Sequence, residues 1–332
     1  MKPVGQEHVE TKKGVFVDKD VLLFKEHFHI NDRDEDMSPL LIPPGFTRNY
    51  LDGNMRNEIL IETIEKAFCE IEKRHDFVIV EGTGHCGVGS IVNLNNAQAA
   101  HLLQLPVVLI ASGGLGSAFD QLTLNKYLCD AFNVPVVGVI LNRVKPEKKE
   151  MIERYIRLAL QRWKIPLLGC IPFDPLLSYP AMKDFESLFN AQLITGEQYR
   201  LRHFKHIHLV ASSVENYRDR IVSSQLLITP AMREDIILAT LATYWEHQQA
   251  YPDQEFSAGM ILTGDFPPRH HIVEEIRKAS IPMLYTPLHS DEVMQMINSF
   301  TAKIRTEDLE KIQEAIQVVE QHINFPLLRS LI

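Results

Sequence analysis

The sequence predicts an α/β protein with a mostly parallel sheet, followed by a smaller α/β domain, and three observations lead there. Short apolar runs alternate with amphipathic helical stretches, the pattern of strands joined by crossover helices. The runs at 77–80, 106–110, 136–141 and 166–171 are apolar at nearly every position rather than every second one, as strands covered by helices on both faces are. A length of 332 residues exceeds one ordinary core and suits two domains of roughly 100 to 200 residues each.

Taken in order, the helix before residue 77 comes first. Leu60, Ile61, Ile64, Ala67, Phe68 and Ile71 recur at three- and four-residue steps and form one apolar face, while Glu62, Glu65, Lys66 and Glu70 take the wet face. A polar, aromatic stretch at 179–203 reads as a helical connector. A second series of strands follows at 208–211, 225–228, 260–263 and 282–285, each leading into a helix. The last helix, near 307–322, carries Leu309, Ile312, Ile316, Val319 and then Ile323 on one stripe. The expected domains are 1–190 and 205–325.

Composition narrows the functional classes. Forty-three acidic against 34 basic residues leave a net charge of -9, which provides no field to hold a polyanion, so no nucleic acid partner is expected. No run reaches the roughly 20 continuous apolar residues of a membrane span, and the first residues lack a signal-peptide apolar region. A cytoplasmic protein without a membrane partner is expected. Cys69, Cys86, Cys129 and Cys170 form no C-x-x-C pair, and neither a zinc site nor a disulfide framework is indicated.

In open α/β sheets ligands bind beyond the carboxyl ends of the strands, so function is sought in the loops that follow them. After 77–80 comes Glu81-Gly82-Thr83-Gly84-His85-Cys86-Gly87-Val88-Gly89-Ser90, a carboxylate beside a glycine-rich loop. Such a loop brings backbone N–H groups near an anion and the carboxylate offers oxygens to Mg²⁺; a plain glycine turn fits the spacing equally. Ser112-Gly113-Gly114-Leu115-Gly116-Ser117 opens directly into a helix, which suits an anion at the helix N-terminus or a tight connection capped by Ser117. Asn142, at a strand end, is either a base-reading amide or a turn residue. His270-His271 point apart as neighbours in sequence and have no ligand at useful spacing, so they are assigned no metal.

Together these segments resemble the dethiobiotin synthetase and cobyrinic acid diamide synthase group of P-loop proteins, in the version found at the front of some bacterial phosphotransacetylases. The resemblance rests on Lys2-Pro3-Val4-Gly5-Gln6, Asp20 within Val17-Asp18-Lys19-Asp20-Val21-Leu22, Ser38-Pro39, Gly45-Phe46-Thr47-Arg48, Glu81-Gly82-Thr83-Gly84-His85, Gly138-Val139-Ile140-Leu141-Asn142 and Ile171-Pro172-Phe173-Asp174-Pro175, in that order. It implies a P-loop NTPase type of sheet. It also implies Lys2 as the catalytic lysine that meets phosphate or a carbamate-type intermediate, and Asp20 and Glu81 as Mg²⁺ ligands. Asn142 stands as the adenine-reading amide. Glu81, Gly82, Thr83, Gly84, Asn142 and Pro172 are then the expected contacts to ATP.

One departure qualifies that expectation. In the family a strand, a G-x-x-x-x-G-K-[ST] loop and a helix precede the Lys-Pro-Val segment, and no such loop occurs in these 332 residues. Either the start lies further upstream or the loop has been lost. The upstream start is the expectation, because the family's first strand is interior and its absence leaves unpaired edges and exposed apolar faces. ATP use, and with it ATP and Mg²⁺ as cofactors, is expected to be weakened without that loop.

The second domain resembles the DRTGG domain through Ser212-Ser213-Val214-Glu215-Asn216, the stretch from Leu227-Ile228-Thr229-Pro230 to Arg233-Glu234-Asp235-Ile236, and Leu262-Thr263-Gly264. Arg233 and Asp235 remain of the name motif. The resemblance implies a regulatory or dimer-forming module. The expected function is a nucleotide-type binding and regulatory protein without the acetyltransferase domain, taking a small-molecule or nucleotide ligand and pairing with a second copy through either domain. The alternative is an ATP-dependent ligase or synthetase whose P-loop lies in an upstream segment.

Overall fold

The computed structural model describes residues 1–11 and 13–332. The chain forms two compact units, Met1–Phe173 with Arg305–Ile332, and Asp174–Ile304. Residues 305–332 therefore belong with the first unit, although the sequence reading placed the final helix in the second domain.

In the first unit, the N-terminal residues run extended between two neighbours. On one side the Met1 amine donates to Ile79 O at 2.9 Å and Glu81 N donates to Met1 O at 2.9 Å; on the other, Lys2 N donates to Met37 O at 2.8 Å. Strand β1 (Val4–Gly5) is followed by the antiparallel hairpin of β2 (His8–Glu10) and β3 (Phe16–Asp18), and β1 pairs in parallel with β4 (Leu40–Leu41). Asp18 ends β3 and caps helix Lys19–Phe28, its Oδ1 accepting from Asp20 N at 3.0 Å. Helix Asn57–Glu72 buries Leu60, Ile64, Ala67, Phe68 and Ile71, the stripe its periodicity demands.

The main sheet of this unit holds β5 (Val107–Ser112), β6 (Val136–Val144) and β7 (Leu167–Pro172), all parallel, with β6 in the middle. Leu109, Val139 and Leu141 from the strands pack with Leu122 and Cys129 of helix Gly116–Ala131 and with Ile152, Ile156 and Leu160 of helix Lys149–Leu160. Each such fully buried aliphatic side chain contributes about 1.5–3 kcal/mol relative to exposure.

Residues 77–80 depart from the expected strand. Their pairing with Met1 is two hydrogen bonds long, and only Val78 and Val80 pack inward. Phe77 and Ile79 are 62% and 71% exposed. A run apolar on both faces thus has one face covered, and it stays extended without joining a regular ladder. The outer edge of β5 has no partner among the described residues, and Ile110 on that strand is exposed.

The second unit is a five-stranded sheet in the order β8 (Leu193–Thr195), β12 (Met283–Thr286), β11 (Ala258–Thr263), β10 (Gln225–Pro230), β9 (His206–Leu209). Four strands are parallel and β8 is antiparallel to β12. The predicted strand at 208–211 lies two residues earlier, and the expected helical connector contains helix Met182–Phe189 and then β8. Helices cover both faces of this sheet. One side packs Ile236, Ile237, Ile272 and Ile276 and the other Phe185, Phe189, Val293 and Ile297, which explains why β10 and β11 are buried at nearly every position.

The final helix, Leu309–His322, docks its end on β7: Asn324 N donates to Leu168 O at 2.8 Å and Gly169 bridges Ile323. A side chain at Gly169 would stand 2.4 Å from His322 O, so only glycine lets the two backbones meet. Gly169→Ala is expected to cost about 1–3 kcal/mol in urea unfolding and to speed proteolysis between residues 305 and 332, while exchange in β10 and β11 stays unchanged.

Candidate functional site

The site grows from the N-terminal stretch. Because residues 1–3 lie between 79–81 and Met37, the Lys2 side chain is delivered to the tip of three elements at once: the end of β3, the first turn of helix Lys19–Phe28, and the start of the glycine loop. Lys2 is 6% exposed. Its Nζ hydrogen-bonds Asp20 Oδ2, and pairs with Asp18 Oδ1 at 3.3 Å and Glu81 Oε1 at 3.5 Å. One ammonium thus faces three carboxylates.

The three carboxylates differ in surroundings. Asp18 is buried and already engaged, its Oδ2 accepting from Gln6 N at 3.1 Å. Asp20 and Glu81 keep solvent-facing oxygens. Burial opposes the charge on Lys2, but the hydrogen bond to Asp20 and the charges of Glu81, Asp20 and Asp18 prevail and hold its pKa above the ordinary value. Burial pushes the Glu81 carboxyl up, aided by the neighbouring acids and opposed by Lys2. Asp18 is the member that sequence reasoning missed. Its signal was present, since an Asp directly before an amphipathic run is a helix cap, but nothing in the spacing joins a cap to Lys2.

The donor set matches a hard divalent cation in kind, being carboxylate oxygen throughout. Among the described residues no group of three or more His, Cys, Asp or Glu side chains is placed to hold a metal alone. Mg²⁺ does not need one, since it commonly uses one or two carboxylates, with water and phosphate oxygens completing its shell.

The glycine loop is tied down on several sides. Thr83 Oγ1 donates to Val4 O at 2.7 Å, and Asn96 Nδ2 donates to Thr83 O and His85 O, each at 2.9 Å. Cys86 N donates to Asn125 Oδ1, Gly87 N to His85 Nδ1, Val88 N to His85 O and Ser90 N to Gly87 O. Those four amides are spent within the fold, while, among the described residues, those of Gly82, Thr83 and Gly84, next to Glu81, are not.

A second group forms at the carboxyl ends of β5, β6 and β7. Asn142 lies opposite Ser112 in the β5–β6 ladder and Val144 lies opposite Pro172 in the β6–β7 ladder, so the sheet itself gathers Asn142 and Pro172 on one rim. Phe173 N donates to Val144 O at 2.7 Å, and the Arg143 guanidinium lies 5.6 Å from the Phe173 ring centre. Asn142 Oδ1 accepts from Arg143 N at 2.8 Å, which orients the amide and leaves its N–H₂ as the outward donor. Gly113 fits against this rim because a Cβ there would stand 2.4 Å from Val144 Cα.

An AAA domain model matches residues 1–181 and a DRTGG domain model matches residues 186–300. The chain belongs to the AAA domain family. Its first domain is of the P-loop, dethiobiotin synthetase-like kind. Among curated relatives, a phosphate acetyltransferase of Nitratidesulfovibrio vulgaris is 28% identical over 325 residues, covering 94% of this chain and 45% of the relative. One from Synechocystis sp. is 26% identical over 334 residues, covering 97% and 46%. The ATP-dependent dethiobiotin synthetase of Nitrosospira multiformis is 29% identical over 178 residues, covering 52% of this chain and 74% of the synthetase. The chain spans about half the length of the phosphate acetyltransferases it matches. No helix among the described residues is long and apolar enough to cross a membrane.

Lys2→Met strands three acids, one of them fully buried, and is expected to cost about 3 kcal/mol in chemical unfolding, the low end for a broken buried pair because Asp20 and Glu81 are partly solvated. Glu81 binds its proton more tightly folded than unfolded, so its contribution to stability is present below its ordinary value of 4.5 and is lost as pH rises through the raised value. Glu81→Gln removes that loss: the stability of the variant relative to the parent should rise from about pH 4.5 towards neutrality, read from urea midpoints across that range.

Proposed function

We propose that the first unit binds a magnesium nucleotide through the Lys2 cluster and the Asn142 rim, and that the second unit is its regulatory partner. The chain would then act as a nucleotide-responsive regulatory region. The observation that carries this reading is the imbalance at Lys2, where one buried ammonium meets three carboxylates and the two acids that reach solvent belong to different elements. A hard cation between Asp20 and Glu81 would relieve their mutual repulsion and leave Lys2 to face the anion that the cation brings.

In this reading Asp18 is a positioning residue that fixes Lys2 and never meets the ligand. Asp20 and Glu81 hold Mg²⁺, which supplies charge neutralisation for phosphate oxygens. Gly82, Thr83 and Gly84 line the anion's approach, with the Thr83 hydroxyl fastening the loop to β1, and Asn142 and Pro172 border the base. A ligand that bridges loops of one unit also stabilises it by mass action.

A second reading, an ATP-dependent synthetase, draws on the 29% identity to the dethiobiotin synthetase, of which the aligned stretch covers 74%. In that reading Lys2 meets the reacting phosphate or carboxylate, where a fixed positive charge stabilises the charge that develops.

Calorimetric titration of MgATP and MgADP into the full chain distinguishes the outcomes. Saturable binding that Asp20→Asn and Asn142→Ala each weaken about tenfold, equivalent to about 1.4 kcal/mol, is the expected result. Absence of heat up to millimolar nucleotide would overturn the proposal. Phosphate release above background that Asp20→Asn abolishes would replace it with the synthetase reading.

A further inference from the structure

Two of the four cysteines, 43 positions apart, meet inside the first unit. Cys86 Sγ and Cys129 Sγ lie 3.9 Å apart, Cys86 9% exposed and Cys129 fully buried. Cys86 sits in the middle of the glycine loop that begins at Glu81, and Cys129 is on helix Gly116–Ala131. The same helix holds the loop a second time: Asn125, one turn before Cys129, accepts from Cys86 N at 2.9 Å. Backbone and side chain of Cys86 are therefore both aimed at one face of one helix.

We infer that Cys86 and Cys129 form a redox modification site, closing to a reversible disulfide under a hydroperoxide and locking the glycine loop to the helix. A disulfide needs an S–S distance of about 2.05 Å, so the sulfurs must approach by about 2 Å. Side-chain rotation and a small shift of the loop, which has glycines at 82, 84, 87 and 89 on either side of Cys86, would have to supply that approach.

The chemistry balances with one equivalent of peroxide. The Cys86 thiolate attacks one peroxide oxygen, the O–O bond breaks, and hydroxide leaves to take up a proton as water. Cys86 is then a sulfenic acid. Cys129, giving up its proton, attacks Cys86 Sγ, and the S–O bond breaks to release a second water. Two thiols are oxidised and one peroxide is reduced to two waters. The roles follow from position: burial raises the Cys129 thiol, and Cys86 is the sulfur carried on the loop. Cys86 follows exposed His85 in the loop, whereas Cys129 is fully buried.

Oxidation would act on the loop that carries Glu81, and the cross-link itself rests on sulfur geometry rather than on the nucleotide reading. Cys69, exposed, and Cys170, buried in β7, are internal references. The test treats the full chain with hydrogen peroxide, blocks remaining thiols with an alkylating agent under denaturing conditions, and maps disulfides by mass spectrometry of a non-reduced digest. The expected result is a loss of two hydrogens in mass, a Cys86–Cys129 linked peptide that a dithiol reductant reverses, and several-fold slower hydrogen exchange across residues 82–89. Cys69→Ser should leave all three unchanged. Oxidation confined to Cys69, or Cys86 passing to sulfinic acid with Cys129 still alkylated, would overturn the inference.

Discussion

A single buried ammonium organises the front of the first unit. Lys2 is within ion-pair distance of Asp18, Asp20 and Glu81, which come from the end of a strand, the first turn of a helix and the start of a loop. Removing a charge from water is costly unless partners replace the solvent, so the position of Lys2 requires those three elements to converge, and their convergence requires Lys2. The backbone reinforces the same junction: residues 1–5 bond to 79–81 on one side and to 37–42 on the other, and Thr83 ties the loop to Val4. Structure and chemistry share one set of contacts here. In the proposed function, the charges that hold the N-terminal stretch in place are also those that would meet a cation and a phosphate.

In the proposed function the sheet rim would supply the complementary half of the ligand surface. Parallel strands in register place the residues after β5, β6 and β7 side by side whatever their sequence separation, which is how Asn142 and Pro172 come to share an edge. The glycine loop communicates with this half through helix Gly116–Ala131, which follows β5 and holds Cys86 by its backbone and its sulfur. A change at that helix therefore bears on the loop that begins at Glu81. The second unit, a DRTGG domain, has its own sheet with both faces sealed by helices, and its polar residues collect at the carboxyl ends of β9 and β10, where Arg233 pairs with Asp235 and donates to Ser212 O at 3.0 Å.

Much of this was readable from residue pattern. Strands apolar at nearly every position announced a sheet covered on both faces in the second unit, and β6, β7, β10, β11 and β12 lie where their runs predicted, whereas β5 leaves Ile110 exposed. Residues 77–80 show the limit of that signal: their backbone pairs only briefly with Met1, and Phe77 and Ile79 stay largely exposed on the uncovered face. The final helix shows another. Of its predicted stripe Ile312 and Ile323 are buried, but Leu309 and Ile316 are exposed and Lys311 and Val318 pack instead, and the sheet it docks on is decided by the close approach at Gly169. At the site, family likeness named Lys2, Asp20 and Glu81, and the structure brings those three together. Asp18 escaped because a capping residue looks the same in sequence whether or not a lysine is folded against it. The Cys86–Cys129 contact escaped because 43 positions of separation carry no local signature.

The central claim is that the Lys2 cluster is a cation and phosphate site, and Mn²⁺ as a paramagnetic stand-in for Mg²⁺ tests it most directly. Titrated in the presence of ADP and followed by amide NMR, Mn²⁺ should first broaden residues 2–6, 18–20 and 81–84, and Glu81→Gln should reduce the effect. Broadening that begins elsewhere, at surface acids away from Lys2, with those segments untouched, would contradict the account.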